Sequence, residues 1–382
     1  MNFKEGMPRY EMLQNVKINS YQFLVLVMFF SMGTSILIVP SVLAEGVKQD
    51  AWIAAILGII IGVIVIWLFC LIIQWFPNLT FVEICEKILG KWIGKAVSLL
   101  FVSMAFIYAA SLLYYSGTFL NIHLMPNTPM IALNLLLALA IVMGVRLGIE
   151  TIARSAEILI FFFFIFFLLL VLFILPEMKL ENIQPIFEAG PIPIIQSTKS
   201  VIEVTSVNAV VLLMIFPACI NNLKQAKKSF YIGYLIGGLV IIILTFLCIA
   251  VLGFYSTAAE YHPSYELAKR INIGNFIQRI EASMAGLWII ALYIKATLYF
   301  YVSVLGLAQI FNRKDYKPLT IPLGVIVVVL SVVMYPSVVY QEHWNATIGI
   351  YYSYSIGLLL PLLLLIVNAI RKTHLKKEKS TS

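Results

Sequence analysis

Long apolar runs separated by short polar stretches recur along the chain and predict ten helical spans, at 19–46, 51–75, 96–120, 129–147, 156–175, 197–220, 229–254, 284–311, 319–338 and 346–369. Each is close to or above the roughly 20 residues that cross a bilayer core. The first run departs from the pattern. INSYQFLVLVMFF leads into SMGTS and then ILIVPSVLAEG, so 18–46 exceeds one crossing and carries small and polar residues at its middle. Gly33 costs about 1 kcal/mol relative to alanine inside a helix. Ser31, Thr34 and Ser35 offer hydroxyls to main-chain groups that an interruption would free. A break at mid-membrane is stable only against protein or a watery cavity, so it would line a pocket; an intact helix with small residues at a packing seam fits the same pattern.

Span six, QSTKSVIEVTSVNAVVLLMIFPACINN, is the second candidate for an interruption. Glu203, Thr205, Ser206 and Asn208 cluster where the helix is already within the membrane, and a carboxylate there is costly unless protonated, paired or hydrated. Spans one and six hold corresponding positions if 19–175 and 197–369 are two five-span halves that enter from opposite sides as inverted repeats. The whole chain, 1–382, then reads as one integral membrane domain with short tails at 1–17 and 371–382. Span three sets Tyr108, Ser111, Tyr115 and Thr118 at offsets of three, seven and ten, a hydroxyl stripe that suits either a cavity wall or interhelical hydrogen bonds. Span eight carries Lys295 within its apolar run, sharing a face with Trp288, Tyr299 and Val302, which points it into the bundle.

Composition fixes the class. Hydrophobic residues make up 62% of the chain and charged residues 12%, a balance that no water-exposed domain of this length could carry on its surface. The net charge of +8 would suit nucleic acid in a soluble protein; in a membrane protein its placement matters more. With the N-terminus inside, 19 Lys and Arg fall in cytoplasmic segments and 6 in outer ones, so both termini face the cytoplasm. A cleaved signal peptide would remove span one and spoil that parity. The four cysteines show no metal-ligand spacing, and neither disulfide, metal nor cofactor is expected.

The loops carry further patterns. NLTFVEICEKILGKWIGK places Phe81, Ile84, Cys85, Ile88 and Trp92 on one helical face, an interfacial helix. Arg146, Glu150, Arg154 and Glu157 follow at intervals of four, four and three, a cytoplasmic salt-bridge ladder if that stretch is helical, or an inner gate. PEMKLENIQPIFEAGPIPII should form an outer cover, and 256–283, with YELAKRI and FIQRIEA helical in pattern, an outer lid.

The opening INSYQF and SMGTSILIVP, the segment GIETIARSAEI, and YELAKRINIGNFIQRIEA with the following WIIALYIKATLYFYVSVLGLAQIF resemble the B subunits of spore germinant receptors of endospore-forming bacteria. These are similar to the amino acid–polyamine–organocation transporters. The resemblance implies an all-α polytopic protein of ten transmembrane helices in a five-plus-five inverted repeat (LeuT-like), with helices one and six interrupted. It further implies a subunit of the spore inner membrane that binds a small germinant, often an amino acid, and works with an A subunit and a lipidated C subunit. Carried over from the superfamily, ligand binding falls to Gly33, Thr34 and Ser35 at the first break and Thr205 and Ser206 at the second. Tyr108 and Ser111 on the hydroxyl stripe would join them, with Glu203, Lys295 and Tyr299 in coupling or gating. Sodium-using transporters of this fold hold the ion between spans one and eight, and some relatives put a fixed cation there, which Lys295 would supply. The transporters usually have glycine in the span-six break and this chain has none near Glu203. A proton- or cation-coupled permease is the alternative. No nucleophile-plus-base arrangement, metal cluster or phosphate-binding glycine loop supports an enzyme.

Overall fold

A computed structural model describes residues 17–220, 222–271 and 281–380. Span one consists of α1 (Ser20–Met32) and α2 (Ser35–Val47), and span two is α3 (Ala51–Trp75). After a short α4 (Phe81–Leu89), spans three to five are α5 (Lys91–His123), α6 (Met130–Leu147) and α7 (Ile149–Ile174). Span six is α8 (Pro191–Thr205), a 3-10 segment (Val207–Met214) and α9 (Phe216–Cys219); span seven is α10 (Leu223–Ala259). Beyond the outer helix α11 (Pro263–Lys269), spans eight and nine are α12 (Glu281–Ile310) and α13 (Lys317–Val333). Span ten runs through α14 (Val338–Trp344), α15 (Ile350–Tyr354) and α16 (Leu360–Ser380), with π-helical segments at Asn345–Gly349 and Ser355–Leu359.

Among the described residues eight segments are long and apolar enough to cross a membrane, the first being Ser20–Trp75. That segment holds two crossings, because Lys48 at φ 53° turns the chain between α2 and α3. With Lys317–Val333 added, the ten predicted spans are all present. They are not equally buried: the most apolar window of α12 is 83% buried, whereas that of Ile149–Glu177 is 22%. Span eight therefore runs through the middle of the bundle, and span five leaves Phe161, Phe162 and Phe164 on its exposed face while Phe163 and Phe167 are buried.

The N-terminal end of span one is tied to spans five and six. Asn19 and Gln22 form a reciprocal capping box, with Gln22 N donating to Asn19 Oδ1 at 2.7 Å and Asn19 N to Gln22 Oε1 at 3.0 Å. Glu150 accepts from the Lys17 amide at 2.9 Å, Glu157 accepts from Gln22 Nε2 at 3.0 Å, and the Ile18 amide donates to the Cys219 carbonyl at 3.0 Å. The expected charge ladder does not form. Gly148, at φ 97°, ends α6 and starts α7, so Arg146 and Glu150 lie on different helices; Arg146 and Arg154 are exposed, and no ion pair joins any two of the four. The two acids hold the start of span one instead.

The first loop needs a second correction. Phe81, Ile84, Cys85 and Ile88 are buried, and Thr80 and Glu83 cap α4. Gly90, at φ 86°, ends that helix, which leaves Trp92 on the first turn of α5 and 84% exposed. The apolar face of α4 packs against α5, α12 and α16, so the helix belongs to the bundle.

At the opposite end of span one, the fully buried Asp50 accepts from the amides of Phe187 at 2.8 Å and Ala189 at 3.0 Å, and Gln49 donates to the Pro185 carbonyl at 3.0 Å. The segment between spans five and six is thus an ordered cover. Helix α11 sits on span one for a simple reason. Pro40 inside α2 has no N–H for the carbonyl four residues back, Ile36; Ser264 Oγ donates to that carbonyl at 2.5 Å. The YELAKRI part of the expected lid is helical here, and most of FIQRIEA lies outside the described residues.

His262, at the start of α11, shares a hydrogen bond with His123 at the end of α5, Nδ1 to Nε2, 3.0 Å. Burial, with His123 beside it, pushes the His262 imidazole down to about 3 from an ordinary 6.5. The docked loop holds this ring neutral, whereas an undocked one takes up a proton. Docking should therefore be at full strength above pH 6.5 and weaken steadily as pH falls from there toward 3. Hydrogen exchange at the described end of this loop, 260–271, measured from pH 7 to pH 4 and corrected for intrinsic rates, should rise; a flat profile would mean that the imidazole pair does not hold the lid.

Candidate functional site

The break in span one falls at Gly33 and Thr34. Gly33 has φ −29° and ψ −76°, and its amide still donates to Phe29 O at 2.9 Å. Backbone conformation does not demand glycine here; the neighbour does. A Cβ at this position would lie 2.5 Å from Cδ and 2.9 Å from Cβ of Lys295. Ser31 Oγ donates to Val27 O at 2.9 Å within α1, and Ser35 Oγ, at the start of α2, donates to Ser31 O at 3.0 Å, back across the break.

Lys295 is 2% exposed and is held from two other spans. Its Nζ donates to Val204 O at 3.1 Å and to Thr34 Oγ1 at 3.4 Å, and it lies 5.1 Å from the centre of the Phe30 ring. The carbonyls of the last turn of α8 have no partner within that helix, and the ammonium takes one of them. The lysine thus joins spans one, six and eight through a hydroxyl, a span-six carbonyl and a ring face. One turn along α12, Tyr299 lies between Phe30, 5.1 Å between ring centres, and Tyr108, 5.6 Å.

Span six breaks at Ser206, where φ is −118° and ψ −46°, by passing from α to 3-10 winding. Such a change needs no left-handed residue, so the missing glycine is no obstacle. Thr205 and Ser206 are fully buried but point elsewhere than expected. Thr205 Oγ1 donates to Val201 O at 2.6 Å and is 3.4 Å from the Tyr234 hydroxyl; Ser206 Oγ donates to Ile202 O at 2.7 Å and faces Gly62. Both hydroxyls look toward α3 and α10, away from Lys295, because the end of α8 turns them to its scaffold side.

Glu203 does join the centre. Its Oε1 accepts from Asn208 Nδ2 at 2.8 Å, across the break, and from Ser353 Oγ at 2.6 Å. Ser353 Oγ is also bonded to the Tyr108 hydroxyl, which lies 3.3 Å from Gly349 O. Glu203 and Lys295 are near enough to attract each other without forming an ion pair. The rest of the span-three stripe faces span ten and the residues before it: Ser111 pairs with Tyr335 at 3.0 Å, and Asn345 Nδ2 donates to Tyr115 at 2.6 Å. Tyr108 therefore reaches the centre, and Ser111 does not. The sequence pattern assigns no site role to Phe30, Asn208 or Ser353, although Asn208 belongs to the polar cluster of span six and Ser353 interrupts an aromatic run, IYYSYS. The centre combines one buried cation, one half-buried carboxylate and a column of three aromatic rings, a set suited to a small zwitterion.

Comparison with known proteins places these features in context. The family model described as spore germination protein matches residues 17–339. Spore germination protein KB of Bacillus subtilis (strain 168) is 29% identical over 373 residues, covering 96% of this chain and 98% of that protein. Spore germination protein GerLB of Bacillus cereus is 27% identical over 273 residues, 69% of this chain and 71% of the relative. Among solved structures, MhsT in complex with L-phenylalanine superposes with TM-score 0.68 at 16% identity, covering 93% of this chain and 99% of that one. A Na+-coupled sialic acid symporter gives 0.61 at 14% identity, with 93% and 79% covered. At these identities the structures bear on the fold alone: the ten-span inverted repeat of secondary transporters, with spans one and six interrupted.

Proposed function

This chain belongs to the spore germination protein family, and on that premise we propose that it is the multi-pass membrane subunit of a germinant receptor that admits a small amino acid to its buried centre and passes the occupation of that centre to partner subunits. The observation that carries the reading is the convergence of the Lys295 ammonium and the Glu203 carboxylate beside the break in span one. A ligand carboxylate fits between Thr34, Lys295 and the positive end of α2. Its ammonium group fits Glu203, and its side chain meets Phe30, Tyr299 and Tyr108. Partners of the A and C type and placement in the spore inner membrane, with both termini cytoplasmic, complete the proposal; the excess of Lys and Arg in the inner loops supports that orientation.

Equilibrium binding of amino acids to the purified chain tests it. A zwitterion should bind at least about tenfold more tightly than the matching amine or acid alone, since each lacks one charge-assisted partner. Glu203→Gln should erase the preference over the acid while keeping the preference over the amine. Equal affinities for all three, or wild-type germination by spores carrying Glu203→Gln and Glu203→Ala at normal protein levels, would remove the carboxylate from the site. The shared fold with transporters favours one other reading, a coupled permease; uptake of labelled amino acid into sealed vesicles would establish that reading instead.

A further inference from the structure

Span ten is the one crossing with π-helical winding among the described residues, and it has two such segments, Asn345–Gly349 and Ser355–Leu359, on either side of α15. In each the closing hydrogen bond runs back five residues, from Ile350 N to Asn345 O and from Leu360 N to Ser355 O. A π turn takes up an extra residue, so the side chains beyond it are rotated relative to an unbroken α-helix, and such turns are frequent at functional sites. Here the residue carried between the two turns into the bundle is Ser353, which is fully buried.

Serine within an apolar helix ordinarily donates its hydroxyl to a carbonyl of its own helix, as Ser31 and Ser303 do here. Ser353 does not. Its hydroxyl donates to Glu203 Oε1 at 2.6 Å and receives the Tyr108 hydroxyl, so that spans three, ten and six share one line of hydrogen bonds. The same line polarises toward the carboxylate, because each hydroxyl that accepts a proton becomes a better donor of its own. Span ten also presses on the second half of span six: a Cβ at Gly357 would lie 2.5 Å from the Val207 carbonyl. The two contacts fall on opposite sides of the span-six break, at Glu203 before it and Val207 after it.

We infer that Ser353 is a positioning residue for Glu203, and that span ten is wound as it is because this hydrogen bond holds it. When a ligand ammonium takes the carboxylate, the Ser353 bond is the contact given up, and the winding of span ten is the element that responds. The inference rests on Glu203 belonging to the ligand site, but its first test needs no ligand, so it can fail while the amino acid reading stands.

The experiment is a double-mutant cycle read by hydrogen exchange in the ligand-free protein. Ser353→Ala and Glu203→Ala should each raise exchange across 345–359 about tenfold, and the double variant should exchange no faster than either single one. Exchange in α13, which packs on α5, α6 and α12, should not change. Ser353→Thr keeps the hydroxyl and should restore the wild-type rate, which a role in packing alone would not give. If either variant fails to fold, Tyr108→Phe, which removes the donor behind Ser353, should raise exchange in the same segment by a smaller factor. Additive effects of the two alanines, or unchanged exchange across 345–359 in Ser353→Ala or in Tyr108→Phe, overturn the inference.

Discussion

Spores carrying Lys295→Ala should contain the protein in the membrane and fail to respond to nutrient. The substitution takes a buried ammonium away from the Val204 carbonyl, the Thr34 hydroxyl and the Phe30 ring at once, and it leaves the half-buried Glu203 carboxylate without its nearby cation. Losing a hydrogen bond that involves a buried charged group typically costs about 1.5–3 kcal/mol, which corresponds to a loss of about ten- to a hundredfold in an equilibrium that depends on it. Spans one, six and eight also lose the side chain that joins them. Lys295→Arg should recover only part of the response, because a planar fork cannot occupy a space shaped for a compact ammonium beside Gly33. With a tethered cation between spans one and eight, function should not require sodium. Normal germination by Lys295→Ala spores, or a strict sodium requirement in the wild type, would leave the lysine without this role.

Gly33→Val should abolish ligand binding in a protein that still folds. The first added carbon would lie 2.5 Å from Lys295 Cδ, and valine adds two more. Relief requires Lys295 to leave its place, α1 and α2 to separate, or both. Overpacking of this kind typically costs about 1–3 kcal/mol of stability, which a bundle this large can absorb. Binding absorbs less, because the displaced ammonium is the group that meets the ligand. Gly33→Ala should be intermediate. Equilibrium binding on the purified variants, with thermal unfolding as the control for folding, separates the two effects; unchanged affinity in a folded Gly33→Val protein would falsify the placement of the site at this break.

Much of this could be read from the residues because a membrane makes polar groups costly. Ten apolar runs gave ten spans, and a glycine with hydroxyls inside the first, a carboxylate in the sixth and a lysine in the eighth each stood out against a background that had to be apolar. What escaped reading depended on helix phase. Arg146, Glu150, Arg154 and Glu157 are spaced for one helix edge, but Gly148 resets the phase between the first two. Thr205 and Ser206 are adjacent to Glu203 and were assigned to the same side, yet the last turn of α8 sends them to α3 and α10. Trp92 left its expected face at Gly90 for the same reason as Arg146 did. Ser353 was hidden twice, since a serine in an apolar helix is cheap when it bonds its own backbone, and since the π turns that aim it inward have no compositional mark.

The buried Asp50 carries a consequence for biosynthesis. The amides that hold its carboxylate belong to Phe187 and Ala189, 137 and 139 residues further along the chain. During synthesis from the N-terminus, the turn between spans one and two is finished long before those donors exist, and closing a loop of that length has an entropic cost that only the assembled bundle can offset. Until then the carboxylate has to stay hydrated at the membrane surface. The order of events is thereby constrained: spans one to five are threaded first, with the C-terminal end of span one still free, and the cover is fastened only when the chain begins to enter the membrane for the sixth time.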